Sequence, residues 1–407
     1  MFFRLAWRNI WRNPRRTAVI LTALIIGIWS MVFLGALMRG MADQMVRNGI
    51  ATLTGHLQIH QKDFRADPVI EHGIADPASV APALTESLPP GANWTPRIRL
   101  DAVVANARHS GGATLVGIDP RKEARVSFIG NAVKEGRYLE PGDRNGIVVG
   151  KAFVDKFETK LGRKLVLMCQ DTQGEIASRA FRIVGIFRAE TDATEKQFVF
   201  VSLSSAREML KLGKEISEIA VLLPERREVE KIAADIRARL PSADLTVNTW
   251  KELLPMVTAM LRLYNGSIFV WYLVVFVAMA FGIVNTTLMA VFERMREFGL
   301  LKALGMKPGG IVKGVLAESF LLIVTGMIIG NALSFLTVFA LSAKGIDLSA
   351  MAAGLEYVGM PRVIYPMAQA GDVIQANLVV LVLGLLVSLY PASKAARFLP
   401  VEALAHT

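Results

Sequence analysis

Apolar residues in this chain collect into four long runs, and most polar residues lie between the first and the second. The runs cover 17–38, 268–291, 315–341 and 376–390. About 20 apolar residues cross a bilayer as a helix, so the pattern predicts four transmembrane helices. The fourth run is short but carries no charge. The first is too long for the apolar stretch of a signal peptide, and no small-residue cleavage site follows it. Between the spans the period changes. Runs such as TLVGI, GIVVG, KLVLM, FRIVGIF, QFVFVSL and EIAVLL predict short strands separated by turns such as EPGD and DTQGE. In REVEKIAADIRARL, Val229, Ile232, Ala233, Ile236 and Leu240 share one helical face. Residues 66–96 are rich in Pro, Ala and Ser and read as surface loops.

The expected fold class is an α-helical membrane protein with four transmembrane helices plus a large extracytoplasmic α+β domain inserted between helices 1 and 2. The expected division is an amphipathic interface helix at 1–16, spans at 17–40, 266–292, 314–341 and 376–393, and an outside domain at 41–265. A helix and loop at 293–313, an outside loop at 342–375 and a tail at 394–407 complete it. In the first segment Phe3, Trp7 and Trp11 recur every four residues, as do Arg4, Arg8 and Arg12. That spacing predicts a basic amphipathic helix in the headgroup plane, ended by Pro14.

Composition supports the mixture. Mean hydropathy is +0.41 and 53% of residues are hydrophobic, yet 20% are charged. The net charge of +11 reads as positive-inside topology and anionic lipid rather than nucleic acid. Residues 1–16 hold five arginines and no acid, and the segment between spans two and three holds Arg294, Arg296, Lys302, Lys307 and Lys313. The N-terminus, that segment and the C-terminal tail are therefore expected in the cytoplasm. A single cysteine, Cys169, excludes an intramolecular disulfide and reads as a packed residue.

Chemical motifs are sparse. NGIVVGKAF (145–153) resembles a phosphate loop, but Gly146 and Gly150 enclose three residues and Ala152 follows Lys151. A phosphate loop needs four residues there and a hydroxyl after the lysine. His56 and His60 alternate with Leu57 and Ile59, which places both on the polar face of a strand, and no third metal ligand is evident. No metal, catalytic residue or cofactor is expected in the chain. Gly326 and Gly330 form a GxxxG pair, and Ala23 and Gly27 an AxxxG pair, spacings that let helices approach closely. Glu318 reads as snorkelling from the start of span three, and Asn285 and Asn331 as candidates for bonds across helices.

VFERMREFGLLKALG (291–305) stands out as a charged amphipathic helix between two apolar runs. Met295, Phe298, Leu301 and Leu304 would line one side, Glu293, Arg296 and Glu297 another, and Gly305 would cap its end. A helix tethered by spans at both ends can push on them when something pushes on it.

This stretch, with Glu318 and the Gly326/Gly330 pair, resembles the signature of MacB/FtsX-type ABC transporter permeases. Residues 390–404, YPASKAARFLPVEAL, are similar to that family's C-terminal pattern. VGIDP (116–120), EGRYL (135–139) and GIVVGK (146–151) resemble the lipoprotein-releasing, LolC/LolE-like branch. The resemblance implies a bacterial inner-membrane permease that pairs with a second permease subunit and binds two copies of a cytoplasmic ABC ATPase, where ATP and Mg would sit. The charged helix would be the coupling helix, with Glu293, Arg296, Glu297, Leu300, Leu301, Leu304 and Gly305 at the ATPase. The function implied is extraction of lipoprotein or lipid from the outer leaflet. FtsX-like signalling to a periplasmic hydrolase or sensor, or MacB-like efflux with a membrane-fusion protein, are the alternatives. A periplasmic chaperone would be a further partner of the extraction reading. The branch's chaperone-gripping hairpin, however, corresponds here to a short turn at 168–176. Phe33, Leu37 and Met41 on span one, with Ile268, Phe269, Trp271 and Tyr272 on span two, would wall a lipid or substrate cleft.

Overall fold

The computed structural model describes residues 2–348 and 363–398. The chain divides into a helical unit (1–44, 260–350 and 363–407) and a second unit built mainly from 45–259. Within the first, four helices are long and apolar enough to cross a membrane. They begin as Pro14–Gly49, Pro255–Glu293, Pro308–Lys344 and Ala370–Arg397 and overrun the apolar runs at both ends. Here they are the first to fourth spanning helices.

Their shared core joins Leu24, Ile28 and Met31 of the first to Tyr272 and Met279 of the second, Ile323 of the third and Val380 of the fourth. Glycine sets the closest approach. A Cβ added at Gly326 would lie 2.7 Å from that of Leu24, and one at Gly330 would lie 3.0 Å from that of Ile28. The GxxxG pair therefore packs against the first spanning helix. Gly27 lies against the Met279 side chain, whereas Ala23 is exposed. Asn331 and Asn377 exchange amide bonds of 2.8 and 3.1 Å between the third and fourth helices; Asn285 is exposed.

The amphipathic helix runs Phe2–Ile10 and packs on the third spanning helix through a face that buries Ala6 and Ile10. Phe3, Trp7 and Trp11 stay exposed. Pro14 does not end this helix. It opens the next one, a position that suits proline because the first amides of a helix have no partner. The break falls at Trp11–Asn13, where the Thr17 hydroxyl donates to the Ile10 carbonyl.

The second unit is α+β. Its strands are β1 (Leu57–Gln61), β2 (Asn93–Ala105), β3 (Ser110–Ile118), β4 (Val133–Gly136), β5 (Gly146–Gly150), β6 (Lys164–Gln170), β7 (Ile176–Phe187), β8 (Phe198–Ser202), β9 (Glu218–Leu222) and β10 (Leu245–Thr249). They pair in the order β10-β1-β9-β2-β3-β8-β5-β7-β4, with β6 bridging β7 and β2. That bridge closes a ring of six strands, β2-β3-β8-β5-β7-β6. Only the β3–β8 and β5–β7 pairs are parallel. Leu100, Leu115, Val149, Leu167, Phe181 and Val201 fill a shared core with Phe153 and Phe157. Cys169 belongs to the same core, and burial pushes its thiol up to about 11.

Three local expectations change. Residues 66–96 are not simply loop: they form short turns, the helix Ala81–Ser87 and the start of β2, pinned by buried Ile70, Ile74, Val80 and Leu84. β2 was not among the expected strands, because its sequence NWTPRIRLDAVVA breaks alternation with Pro96 and charges. The charge that disguises it, Arg97, is fully buried and bonds Glu123 at 2.8 and 2.9 Å and Glu218 at 3.2 Å. The third concerns the polar face of β1, which is not solvated. β9 and β10 flank the strand, and His56 and His60 are both buried.

Candidate coupling site

The charged stretch folds as two pieces. The second spanning helix ends at Glu293, Arg294 leaves helical geometry, and a connecting helix runs Met295–Ala303. Gly305 follows with φ +94°, a conformation that favours glycine. Phe298 and Leu301 of the expected apolar face turn inward, whereas Leu304 lies past the helix end and is exposed. Phe298 is buried with Val291, Ile311 and Val315, and Leu301 packs beside them. Lys302 Nζ donates to the carbonyls of Ala396 and Phe398, 3.0 and 2.7 Å away.

Arg294 is the hinge of the site. Its Nη1 lies 2.7 and 2.9 Å from the two oxygens of Glu318, and its Nε donates to Glu297 at 3.0 Å. Burial alone would lower the pKa of Arg294, but Glu318 and Glu297 outweigh it and hold it above its ordinary value. Glu318 also accepts from the Asn9 amide at 2.7 Å. It is thus fixed by a partner from the amphipathic helix and one from the hinge, and it does not snorkel. Glu297 pairs with Arg12 at 2.5 Å, and Glu293 with Arg16 at 2.5 Å. Burial pushes Glu297 up, but Arg294 and Arg12 pull it below the usual carboxylate range.

This geometry redistributes the residues singled out from sequence. Glu293 and Glu297 are engaged by arginines of their own chain. Leu300 and Leu304 are exposed, at 53% and 76%, while Leu301 turns inward. Arg296 is also exposed. Arg12, Arg16 and Arg294, which sequence reasoning counted only as charges or as helix periodicity, complete the network together with Asn9, which it did not single out. Apart from Glu297, three residues after Arg294, their partners lie 24 to 309 positions away, beyond the reach of local spacing.

A second ionic cluster joins three spans elsewhere. Arg39 holds both oxygens of Asp372, at 2.6 and 2.9 Å, and donates to Asn265 at 2.7 Å. Nearby, the expected cleft wall divides. Ile268 and Tyr272 are buried in the bundle core, while Phe269 and Trp271 point outward. The chain does not bring these four together as one face. Their spacing explains this, because adjacent helical positions are about 100° apart. Phe33, Leu37 and Met41 are half-buried.

The stretch at 145–153 is a strand running into the helix Lys151–Lys156. The amide of Ala152 is taken by Glu195 Oε2 at 2.7 Å, so a carboxylate occupies the position a phosphate would need. His56 Nδ1 accepts from the Leu223 amide at 3.0 Å, and burial lowers its pKa to about 4. Among the described residues no group of His, Cys, Asp and Glu is arranged to hold a metal. The β6–β7 hairpin closes in a tight turn, with the Asp171 side chain accepting from the amides of Gln173 and Glu175. The C-terminal pattern lies partly outside the described residues, from 399 onward.

Residues 17–239 match the MacB-like periplasmic core domain, and residues 269–400 match the FtsX-like permease C-terminal domain. The chain belongs to the MacB/FtsX family of ABC transporter permeases. It is a multi-pass membrane protein, and the α+β domain between its first two spans is the periplasmic one of the family. Curated relatives of this permease include the lipoprotein-releasing system transmembrane protein LolC of Xylella fastidiosa, 23% identical over 80% of each chain. LolC of Neisseria meningitidis is 22% identical over 76% of this chain and 77% of the relative. The macrolide export ATP-binding/permease protein MacB of Vibrio parahaemolyticus is 25% identical, over 96% of this chain and 57% of the relative. Membership implies an ATPase partner, as for ABC permeases generally.

Proposed function

We propose that this chain is a permease subunit of the inner membrane that works as a dimer, or with a second permease, on two copies of a separate cytoplasmic ATPase. ATP-driven movement at the connecting helix drives a periplasmic change that extracts lipoprotein or lipid from the outer leaflet. In this reading the N- and C-termini are cytoplasmic. The observation that carries it is the network around Arg294. The short helix, with exposed Leu300 in it and exposed Leu304 just past its end, pairs through Glu297 with Arg12 and with Arg294. Arg294 holds Glu318 of the third span, which Asn9 of the amphipathic helix also holds, and the adjoining Glu293 pairs with Arg16 of the first span. Force applied at Leu300 and Leu304 would reach three elements at once. The LolC relatives support lipoprotein release as the substrate class.

Leu300 and Leu304 give the clean test, because reversing Glu293 or Glu297 would also break pairs within the chain. A photoreactive residue at Leu304 should capture an ABC ATPase in cells. The double change Leu300→Lys and Leu304→Lys should abolish that complex, since unpaired charge at a desolvated contact costs several kcal/mol. An ATPase that assembles equally with the doubly changed chain would refute the docking role. For substrate, a photoreactive residue at Leu37 or at exposed Phe269 should capture a lipoprotein or lipid without nucleotide and release it with ATP. Capture of bulk lipid alone, whatever the nucleotide, would count against extraction.

A further inference from the structure

The outward side of the helical unit carries a groove that the coupling network does not use. It encloses about 630 Å³ and is lined by Phe3 of the amphipathic helix, Leu316 and Phe320 of the third spanning helix, and Leu386 and Leu389 of the fourth. One charged group, Lys313, also lines it. Phe3 and Phe320 meet edge to face, with ring centroids 6.1 Å apart, so the amphipathic helix forms one wall. The volume falls within the roughly 300–1,000 Å³ of ordinary ligand sites. Its apolar walls belong to spanning helices, so the surrounding solvent is lipid.

We propose that this groove holds an acyl chain of an anionic phospholipid, with the headgroup phosphate at Lys313. Charge selects the occupant. The segment that forms one wall of the groove carries Arg4, Arg8 and Arg15, besides Arg12 and Arg16 that pair with Glu297 and Glu293, and no acidic residue. Polybasic segments at a membrane surface attract anionic headgroups, at about 1 kcal/mol per Lys or Arg, and a zwitterionic headgroup gains little from them. The chain contacts supply affinity and Lys313 supplies headgroup preference.

The location gives the lipid a consequence. The same amphipathic helix presents Asn9 to Glu318, which holds Arg294 at the hinge. A lipid that pins Phe3 therefore steadies the far end of the element that orders the hinge. This depends on the helices spanning the membrane, and not on which substrate the permease handles.

The full chain would be reconstituted in nanodiscs of phosphatidylcholine with a minor fraction of phosphatidylglycerol, and bound lipid counted by native mass spectrometry. Phosphatidylglycerol should be retained above its share of the bilayer. Lys313→Gln should reduce that retention roughly fivefold, the loss of one headgroup charge. Leu386→Trp, at an exposed position, should fill the groove and expel the lipid while leaving the unfolding temperature in place. Amides of residues 2–10 should exchange faster in phosphatidylcholine alone. Retention in proportion to bilayer composition would overturn the proposal, and so would retention unchanged by either substitution.

Discussion

At the scale of single residues, the fold makes His56 matter for stability although it does no chemistry. An unfolded chain binds a proton on this ring near its ordinary value of 6.5, whereas burial delays binding in the fold to about 4. Acid in that window therefore favours the unfolded state, and stability rises with pH through it. Between pH 7 and pH 5 the expected loss is about 2 kcal/mol. His56→Gln should flatten that stretch of the pH–stability curve in thermal unfolding; an equal slope in the variant would place the proton elsewhere. The Arg294–Glu318 pair yields a second expectation. Glu318→Gln should destabilise the helical unit by about 1–3 kcal/mol, because a partly buried guanidinium loses its counter-charge. Exchanging the two residues should restore part of that loss in a detergent melt. What could be read at this scale was that residues 291–305 are charged and amphipathic between two apolar runs. Its pairs with Arg12, Arg16 and Glu318 could not be read, since a charge 24 or more positions away carries no periodic signal. Arg97 shows the same limit more sharply: it is a charge that its neighbours Pro96, Arg99 and Asp101 made look exposed, yet it is buried against Glu123 of a short helix and Glu218 of β9.

At the scale of elements, period decided what was legible. β3, β5, β6, β7, β8 and β9 lie where short apolar runs predict strands, and the helix Val229–Arg239 buries Val229, Ile232, Ala233 and Ile236 as its pattern requires. Helix ends were less legible. The second spanning helix starts at Pro255, well before its apolar run, because helix propensity and periplasm-side residues extend it past the bilayer. Gly305 offers a test of how an element is stopped. With φ at +94° it ends the connecting helix in a conformation other residues resist, so Gly305→Ala should cost about 1 kcal/mol. Faster amide exchange across 295–306 would register it, and unchanged exchange would show that packing alone sets the end. In the β6 strand, Cys169 should resist maleimide at neutral pH until the domain unfolds, since its thiol is both buried and pushed up to about 11. Rapid labelling of the native chain would mean that the six-strand ring opens.

For the helical unit as a whole, two ionic clusters sit far apart on the first spanning helix, at Arg16 and at Arg39. Twenty-three residues of helix separate them by about 35 Å, close to the thickness of a bilayer core. Each can keep its charge near an interface while joining different helices. Arg39→Ala should be the costlier loss, about 3–5 kcal/mol, because Asp372 is almost fully buried and would be left unpaired. Asp372→Asn in the same chain should recover stability, and failure to recover would mean that Arg39 acts through Asn265 instead. The periplasmic domain has a consequence of another kind. Because β6 ties β7 back to β2, the six strands close into a ring, although 176–181 of β7 and 110–113 of β3 pair on one side only. The ends of the strand order are β10 and β4. Those edges are five and four residues long, and β4 carries Lys134 and Glu135 and an irregular register against β7. Short, charged and irregular edges are poor templates for another copy's strand. Neither end of the strand order therefore invites sheet fusion when many such domains crowd one membrane.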